Sequence, residues 1–356
     1  MHIPDGYLSP STCTALYALA ISTWYAALKR IKRVFSTRAI PLISVFAAFS
    51  FVVMMFNVPL PGGTTGHALG VAVAAIVLGP WGAVLAISMA LAIQALFFGD
   101  GGITTLGANC FNMAVVGSFV AYGVYRTISA TSAAGSRRRV LAAAVAGYTA
   151  SNAAALLAAL EFGIQPMLFR DASGSPLYAP YPLHIAIPAM MIGHLTLAGL
   201  AEAAISAGMV SYLQIADPGL LGGKAGFTPP AMDSAPPSAR RLWVPVALLM
   251  LLTPLGVLAV GTAWGEWSAA DLSNPQARAQ IAQASQRQAL PPSVPAGLLK
   301  LTTLWTAPFP AYAPSFIRHP ALGYLLSAMF GVGVVALLSL FPKALSKKLQ
   351  HRELET

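Results

Sequence analysis

Long apolar runs, separated by short basic loops or by loops rich in glycine and proline, make up most of this chain of 356 residues. A helix needs about 20 apolar residues to cross a bilayer, because each residue advances about 1.5 Å through a hydrocarbon core of about 30 Å. Only 9% of the residues are charged, whereas an ordinary soluble domain has about 25%. The sequence therefore predicts an all-α, multi-pass integral membrane protein in a lipid bilayer.

The apolar runs predict about nine transmembrane helices. One run, residues 68–98, is too long for a single crossing and short for two. Gly79-Pro80 divides it, since proline lacks the amide donor that a continuous helix requires. The expected spans are residues 13–28, 39–58, two within 68–98, 108–125, 140–160, 184–213, 242–263 and 321–341.

Basic residues predict the orientation of these helices. The net charge is +10, from 21 Lys and Arg against 11 Asp and Glu, and most of the basic residues form clusters between the spans. With nine crossings the clusters share one face, which the positive-inside rule makes cytoplasmic. A single helix over residues 68–98 would scatter them over both faces. The N-terminus and the loop at residues 59–67 are then expected outside, and nothing indicates a nucleic-acid partner.

The N-terminal sequence Met1-His2 can form a chelate. The α-amine, the His2 amide nitrogen and His2 Nδ1 can reach one ion in one plane, which suits Ni(II) or Cu(II) better than tetrahedral zinc or octahedral magnesium. No signal-peptide pattern precedes the first span, so Met1 is expected to remain the mature terminus. The alternative is that His2 is an ordinary residue on a frayed terminus.

His67 ends the loop at residues 59–67 and is expected on the same face as Met1 and His2. Its imidazole would supply a fourth nitrogen, and the loop glycines would let the backbone fold inward. Deprotonating the His2 amide requires a strong Lewis acid, which favours Ni(II) or Cu(II) over Co(II). The alternative is a residue at the start of a helix that hydrogen-bonds at the interface, and spacing alone leaves both open.

Other polar residues are weaker candidates. Glu202 lies inside a span, where a carboxylate is a functional candidate, but pairing with a neighbouring helix or subunit is favoured over metal binding. His184 and His194 are ten residues apart on one helix, which separates them by about 15 Å and prevents a shared ion. Residues that would orient His67, or equally serve as helix caps or interhelical hydrogen bonds, are Gln94, Asp100, Asn109 and Asn112.

Motifs for catalysis or nucleotide binding are incomplete. Residues 219–224 resemble a phosphate-binding P-loop, but Ala225 stands where Ser or Thr must hold Mg²⁺. The chain has no H-E-x-x-H motif of an intramembrane metalloprotease. Cys13 and Cys110 are expected to be two buried thiols. We therefore expect no enzyme activity and no nucleotide on this chain, so that the energy for transport must come from elsewhere.

Five short segments match the pattern of a known family. They are residues 1–10 (MHIPDGYLSP), 54–59 (MMFNVP), 61–67 (PGGTTGH), 98–102 (FGDGG) and 107–109 (GAN). They resemble the substrate-capture (S) component of nickel and cobalt transporters of the energy-coupling factor (ECF) class, the CbiM/NikM family. The resemblance covers residues 1–213 and implies seven membrane helices. It also implies a square-planar site made by the Met1 amine, the His2 amide and ring, and the His67 ring.

The family further implies import driven by separate partner chains, a transmembrane T component and a cytoplasmic ATPase pair. It implies a location in the plasma (inner) membrane of a bacterium or archaeon. The loop Thr65 to Gly70 is similar to that of nickel members, so nickel is the expected ion. Cobalt, taken up for cobalamin synthesis, is the alternative.

The C-terminal part is similar to a two-helix N component fused to this M component. The similarity rests on residues 261–267 (GTAWGEW) and is looser, because the usual Pro-Asp-Gly-Leu signature is not evident. The expected domains are residues 1–213 (M domain), 214–241 (cytoplasmic linker) and 242–356 (N-like domain). The last includes an extracellular segment at 264–320 with one predicted helix over residues 275–290.

Two other classes of protein compete with an importer that depends on partners. A stand-alone carrier or channel would need a polar pathway, of which only Glu202, Gln94 and a few Asn, Ser and Thr residues are visible. An intramembrane metalloenzyme would need an open metal site that holds water, unlike a closed square of nitrogens.

Overall fold

The computed structural model describes residues 1–34, 39–133, 135–221, 239–259 and 261–353, and most of them are helical. The α-helices are α1 Pro10–Val34, α2 Ala39–Met54, α3 Val71–Ile93, α4 Leu106–Asn109, α5 Gly117–Ser129, α6 Arg137–Leu168, α7 Leu183–Gly193, α8 Gly199–Ala216, α9 Ala239–Leu252, α10 Ala269–Ser273, α11 Pro275–Ala284, α12 Ala296–Thr302 and α13 Pro320–Glu353. Wider π-helical turns continue or join some of them at Gln94–Phe98, Cys110–Val116 and His194–Ala198.

Six helices in the described part of the chain are long and apolar enough to cross a membrane. They are Val71–Phe98, Leu106–Ser129, Arg137–Leu168, Leu183–Ala216, Arg241–Leu258 and Pro320–Leu338. The chain is therefore a multi-pass membrane protein, as its sequence predicts. The count of about nine crossings, the outward N-terminus and the division into seven plus two helices stay predictions.

The apolar run over residues 68–98 folds back on itself at Gly79, as Gly79-Pro80 predicts. Gly79 has φ 71° and ψ 167°, values outside the helical region. Both ends of the run lie beside His2, because His67 Nε2 is 3.2 Å and Asp100 Oδ1 is 2.9 Å from His2 Nδ1. A straight helix of this length would hold its ends about 45 Å apart. The reversal therefore brings two separate chain positions to one place.

A short antiparallel hairpin precedes the first of these arms and is absent from the all-α prediction. Its strands are β1 Asn57–Leu60 and β2 Thr64–His67, with Asn57 opposite His67. The sequence gives little indication of these strands, because Pro59 and the three glycines of the hairpin are residues that sheets disfavour. The amide of Thr65 donates to the carbonyl of Thr262 at 3.3 Å, so the C-terminal part supports β2 from its other side.

Two helices extend beyond their predicted ends. Helix α6 continues past residue 160, so that Glu161 is buried in a helix rather than placed in a loop. The Asn112 side-chain amide donates to Glu161 at 2.8 Å, which satisfies this carboxyl group inside the protein. Helix α8 runs to Ala216, and a 3-10 turn, Pro218–Leu221, occupies the start of the predicted linker. Linker residues 222–238 lie outside the described residues.

The helix predicted over residues 275–290 is α11, which is shorter. The Asn274 side chain caps its start by accepting from the Gln276 amide at 2.9 Å. The helix ends at Ala284 because Gln286 and Arg287 adopt left-handed backbone angles, with φ 56° and 62°.

The segment between α9 and α13 packs against the N-terminal residues through aromatic side chains. The Trp264 ring lies 4.9 Å from the Tyr181 ring and 5.8 Å from the Phe162 ring, measured between centroids. The Tyr7 hydroxyl donates to the Trp267 carbonyl at 2.7 Å. The hydrogen bond of Tyr7 connects the first ten residues with a segment 260 residues later in the chain, and the Trp264 contacts connect the same segment with Phe162 and Tyr181.

Candidate metal site

The N-terminus is buried and fixed by hydrogen bonds, unlike a frayed end. Met1 is 3% exposed, and His2 and Ile3 are fully buried. The Asn109 side chain accepts from the Ile3 amide at 2.8 Å and donates to the Ile3 carbonyl at 3.1 Å. The Gly102 amide donates to the same carbonyl at 2.9 Å. Hydrogen bonds thus hold both the amide and the carbonyl of Ile3, the residue that follows His2.

Asp5 joins the N-terminal segment to the loop that follows the second arm. Its carboxylate accepts from the Ile103 amide at 3.2 Å and from the Thr104 amide at 2.7 Å. The sequence analysis did not single out Asp5, although an acidic residue in Pro4-Asp5-Gly6 is a typical turn signal. Gly102 allows the close approach, because a Cβ there would overlap the Asp5 amide nitrogen.

His67 presents one ring nitrogen to His2. Its Nδ1 lies 3.0 Å from the Ala68 carbonyl, which only accepts, so Nδ1 carries the proton and Nε2 has a free lone pair. That Nε2 lies 3.2 Å from His2 Nδ1, and the two rings stack with centroids 4.8 Å apart. Burial, and then the positive charges at His2 and the N-terminal amine, lower the pKa of His67 to about 3. His67 is therefore neutral, as a ligand must be.

The amine of Met1 is held by a residue of the C-terminal part. Its nitrogen lies 3.0 Å from Oε1 of Glu266. His2, Asp100 and Glu266 each offer a potential ligand atom, and in the described part of the chain these three atoms lie within 4.8 Å of one another. The two imidazoles and the carboxylates of Asp100 and Glu266 therefore lie together, and the amine contacts this group through Glu266.

Asp100 connects His2 to a second residue of the C-terminal part. Its Oδ1 lies 2.9 Å from His2 Nδ1, and its Oδ2 accepts from the Tyr312 hydroxyl at 2.5 Å and from Gln94 at 3.3 Å. Burial acts to raise the pKa of Asp100, but the charge and hydrogen bond of His2 hold this pKa well below its usual range. Asp100 is therefore a carboxylate that orients the His2 ring.

Some of the residues singled out from the sequence lie around His2, and others lie elsewhere. Gln94, Asp100 and Asn109 lie around His2, whereas Asn112 differs from expectation because its amide is bonded to Glu161. His184 is exposed. His194 is buried, and its Nδ1 is bonded to the Met190 carbonyl. Glu266 and Tyr312 were not candidates, since nothing in local sequence predicts a contact with the N-terminus.

A cavity of about 720 Å³ reaches this cluster. Its walls come from both parts of the chain and include His67, Asp100, Glu266 and Tyr312. A hydrated ion with six waters occupies about 180 Å³, since each water takes up about 30 Å³. The cavity is therefore large enough to hold a hydrated divalent ion beside these residues.

A family model described as the cobalt uptake substrate-specific transmembrane region, CbiM, matches residues 2–220. The fused nickel transport protein NikMN of Rhodobacter capsulatus is 53% identical over 94% of this chain and 95% of its own length. The probable fused nickel transport protein LarMN of Lactiplantibacillus plantarum is 38% identical over 95% of this chain and 96% of its own length. The cobalt transport protein CbiM of Geobacter sulfurreducens is 33% identical over 76% of this chain and 75% of its own length.

A solved structure has a similar fold. The crystal structure of a truncated transition metal transporter superposes with a TM-score of 0.57 at 50% sequence identity. The superposed region covers 60% of this chain and 98% of the chain in the crystal structure. These relatives are named as transport proteins, not as enzymes.

Proposed function

The chain belongs to the CbiM family of cobalt and nickel transport proteins, and from this we propose that it is the substrate-binding membrane subunit of an ATP-driven importer of the ECF class. It captures Ni(II) at the outer face of the membrane. The four ligands are the Met1 amine, the amide nitrogen and Nδ1 of His2, and Nε2 of His67. Separate subunits hydrolyse ATP, and this chain holds no nucleotide.

The observation that carries the proposal is the proximity of two imidazoles at a buried position, in a group that the amine contacts through Glu266. Two nitrogens about 2.0 Å from one ion and at right angles to each other lie about 2.8 Å apart. His2 Nδ1 and His67 Nε2 are already 3.2 Å apart. Small shifts of the two rings would therefore place both of these nitrogens on one ion, and little ordering entropy of these rings opposes binding.

The ligand set and the relatives both favour nickel. A square of four nitrogens that includes a deprotonated amide suits Ni(II), which accepts tetragonal geometry. Two relatives that match nearly the whole chain are named as fused nickel transport proteins. Cobalt is the alternative, because the relative from Geobacter sulfurreducens is named as a cobalt transport protein.

The two-part organisation supports the partner assignment. We assign residues 1–213 to the metal-capturing M domain, 214–241 to a cytoplasmic linker and 242–356 to an N-like domain. The names of the fused relatives agree with such a division. Glu266, Tyr312 and Thr262 of the N-like domain hold Met1, Asp100 and Thr65, respectively. This domain therefore shapes the metal-free site, while a transmembrane T component and cytoplasmic ATPase subunits complete the importer.

The test is metal analysis of the purified chain with its authentic Met1, after exposure to equimolar nickel, cobalt and zinc. We expect one equivalent of nickel and the yellow, diamagnetic absorption band of square-planar Ni(II). His2→Ala and His67→Ala should each remove both while the protein stays folded. Stoichiometric zinc, or retained nickel in either variant, would overturn the assignment.

A further inference from the structure

Glu202 lies in helix α8, is fully buried and is outside the proposed ligand set. Its Oε2 accepts from the Leu69 amide at 2.5 Å and from the Gly70 amide at 2.9 Å. The Ser206 hydroxyl donates to Oε1 at 3.5 Å. This carboxyl group is therefore attached to the backbone immediately beyond His67.

These two amides lie immediately before α3, and Gly70 is its N-cap residue. The first amides of a helix have no partner within it, and a carboxylate at this end is favoured by the helix dipole. Gly70 precedes the helix with φ 69°, a left-handed angle that glycine adopts without strain. The Glu202 carboxyl therefore determines where the first arm begins and how the chain enters it from β2.

Only Ala68 separates His67 from the residues that Glu202 holds. The Ala68 carbonyl also orients the His67 ring, since it accepts from Nδ1 at 3.0 Å. A shift of Leu69 and Gly70 would move this carbonyl and turn the ring. Nε2 would then leave its position 3.2 Å from His2 Nδ1.

We propose that Glu202 is the positioning residue for the His67 ligand, acting through the Leu69 and Gly70 amides and the Ala68 carbonyl. The inference rests on the proposed function, because it concerns the same metal site. Glu202 does not bind the ion, since its carboxyl group faces the start of α3. It fixes the direction of His67 Nε2, and with it the affinity for nickel and the ligand field at the ion.

Close packing of α6 against α8 keeps Glu202 in place. A Cβ at Gly147 of α6 would lie 2.5 Å from Ser206 Oγ and 3.2 Å from Glu202 Cγ. Only glycine leaves room for both side chains. On the same helix as Glu202, Gly208 has nothing within 4 Å of an added Cβ. The chain thus offers one glycine whose substitution disturbs Glu202 and one whose substitution does not.

The first test is Glu202→Leu, in which an apolar side chain that cannot accept a hydrogen bond replaces the carboxyl group whose Oε2 holds both amides. We expect the dissociation constant for nickel to rise about tenfold or more, the usual result of losing a residue that orients a ligand. The visible band of bound Ni(II) should shift, because His67 Nε2 is misplaced.

The second test is Gly147→Ala against Gly208→Ala, which keeps the question answerable if Glu202→Leu does not fold. Gly147→Ala should weaken nickel binding and shift the band, whereas Gly208→Ala should match the unmodified protein. A folded Glu202→Leu with unchanged affinity and band would overturn this inference and leave the proposed function standing. An unmodified protein that does not bind nickel would overturn both.

Discussion

The amine nitrogen of Met1 lies 3.0 Å from Oε1 of Glu266, although 265 residues separate them in sequence. The proposed metal site is therefore built from residues that lie far apart in the chain. In the proposed metal-bound form the amine bonds to nickel, so its contact with Glu266 belongs to the metal-free form. Because only the metal-free form has this contact, a substitution of Glu266 should change the nickel affinity in a predictable direction.

Glu266→Gln should destabilise the metal-free protein and strengthen nickel binding. The partly buried ion pair contributes about 1 kcal/mol, and losing it from the metal-free form alone raises the affinity about fivefold. Competition titrations with a chromophoric chelator and thermal unfolding with and without nickel would measure this. Asp171→Asn, on an exposed loop, is the control. Weaker nickel binding by Glu266→Gln would show that the carboxylate is needed in the bound form.

One extra residue before Met1 should abolish nickel binding. The extension converts the amine to an amide and places His2 one residue out of register. Met1 is 3% exposed, so the added residue also lacks space beside Glu266. The measurement is bound nickel per chain for an extended protein, before and after a protease removes the added residue. Equal nickel content in both would contradict a role for the amine.

Nickel affinity should rise steeply with pH. The amine and the His2 amide must each lose a proton to bind the ion, so the affinity increases about 100-fold per pH unit where both protons are released. His67 adds no proton to this count above about pH 5, because its pKa is lowered to about 3. Calorimetry in buffers of different ionisation enthalpy would count the protons. Release of fewer than two protons at pH 7 would contradict binding through both the amine and the amide nitrogen.

The same shift predicts that the metal-free protein loses stability in acid. The pKa of His67 falls from its ordinary value of 6.5 to about 3 on folding, mainly through burial. Between these pH values the unfolded chain binds a proton that the folded chain does not, so the free energy of unfolding decreases as pH falls. His67→Gln should flatten the pH dependence of the melting temperature over this range. An unchanged slope would mean that other groups cause the pH dependence of the melting temperature.

Gly102→Ala should weaken nickel binding without touching a ligand. A Cβ at Gly102 would collide with the Asp5 amide, and the N-terminal segment that carries His2 must move away from the loop. A loss of about tenfold or more in affinity is expected, as for other residues that orient metal ligands. Gly123→Ala is the matched control, since an added Cβ there meets nothing within 4 Å. Equal affinities would show that the segment adapts.

The sequence predicts those features that depend on neighbouring residues. The three nitrogens of Met1-His2 form a chelate through covalent geometry alone, and Gly79-Pro80 marks the reversal because proline and glycine act on their own backbone. The grouping of Gln94, Asp100 and Asn109 near the outer ends of their spans follows from helix length and charge distribution.

Contacts between distant segments are beyond such reasoning. The pairing of Met1 with Glu266 and of Asp100 with Tyr312 depends on how the C-terminal segment packs, which no local pattern encodes. The hairpin before His67 was missed because its strands contain residues with low sheet propensity and are stabilised by tertiary contacts. Glu202 was recognised as unusual, but its attachment to the start of α3 required the three-dimensional structure.

The burial of Met1 also sets an order of events in biosynthesis. An enzyme that trims or modifies the first residue must draw it into its own active site, and the folded protein leaves Met1 only 3% exposed. Glu266, which contacts the amine, is made later than the terminus itself. Any maturation of the terminus must therefore finish while the chain is still being synthesised or folded. A chain that folds with a blocked amine would keep that defect for its lifetime.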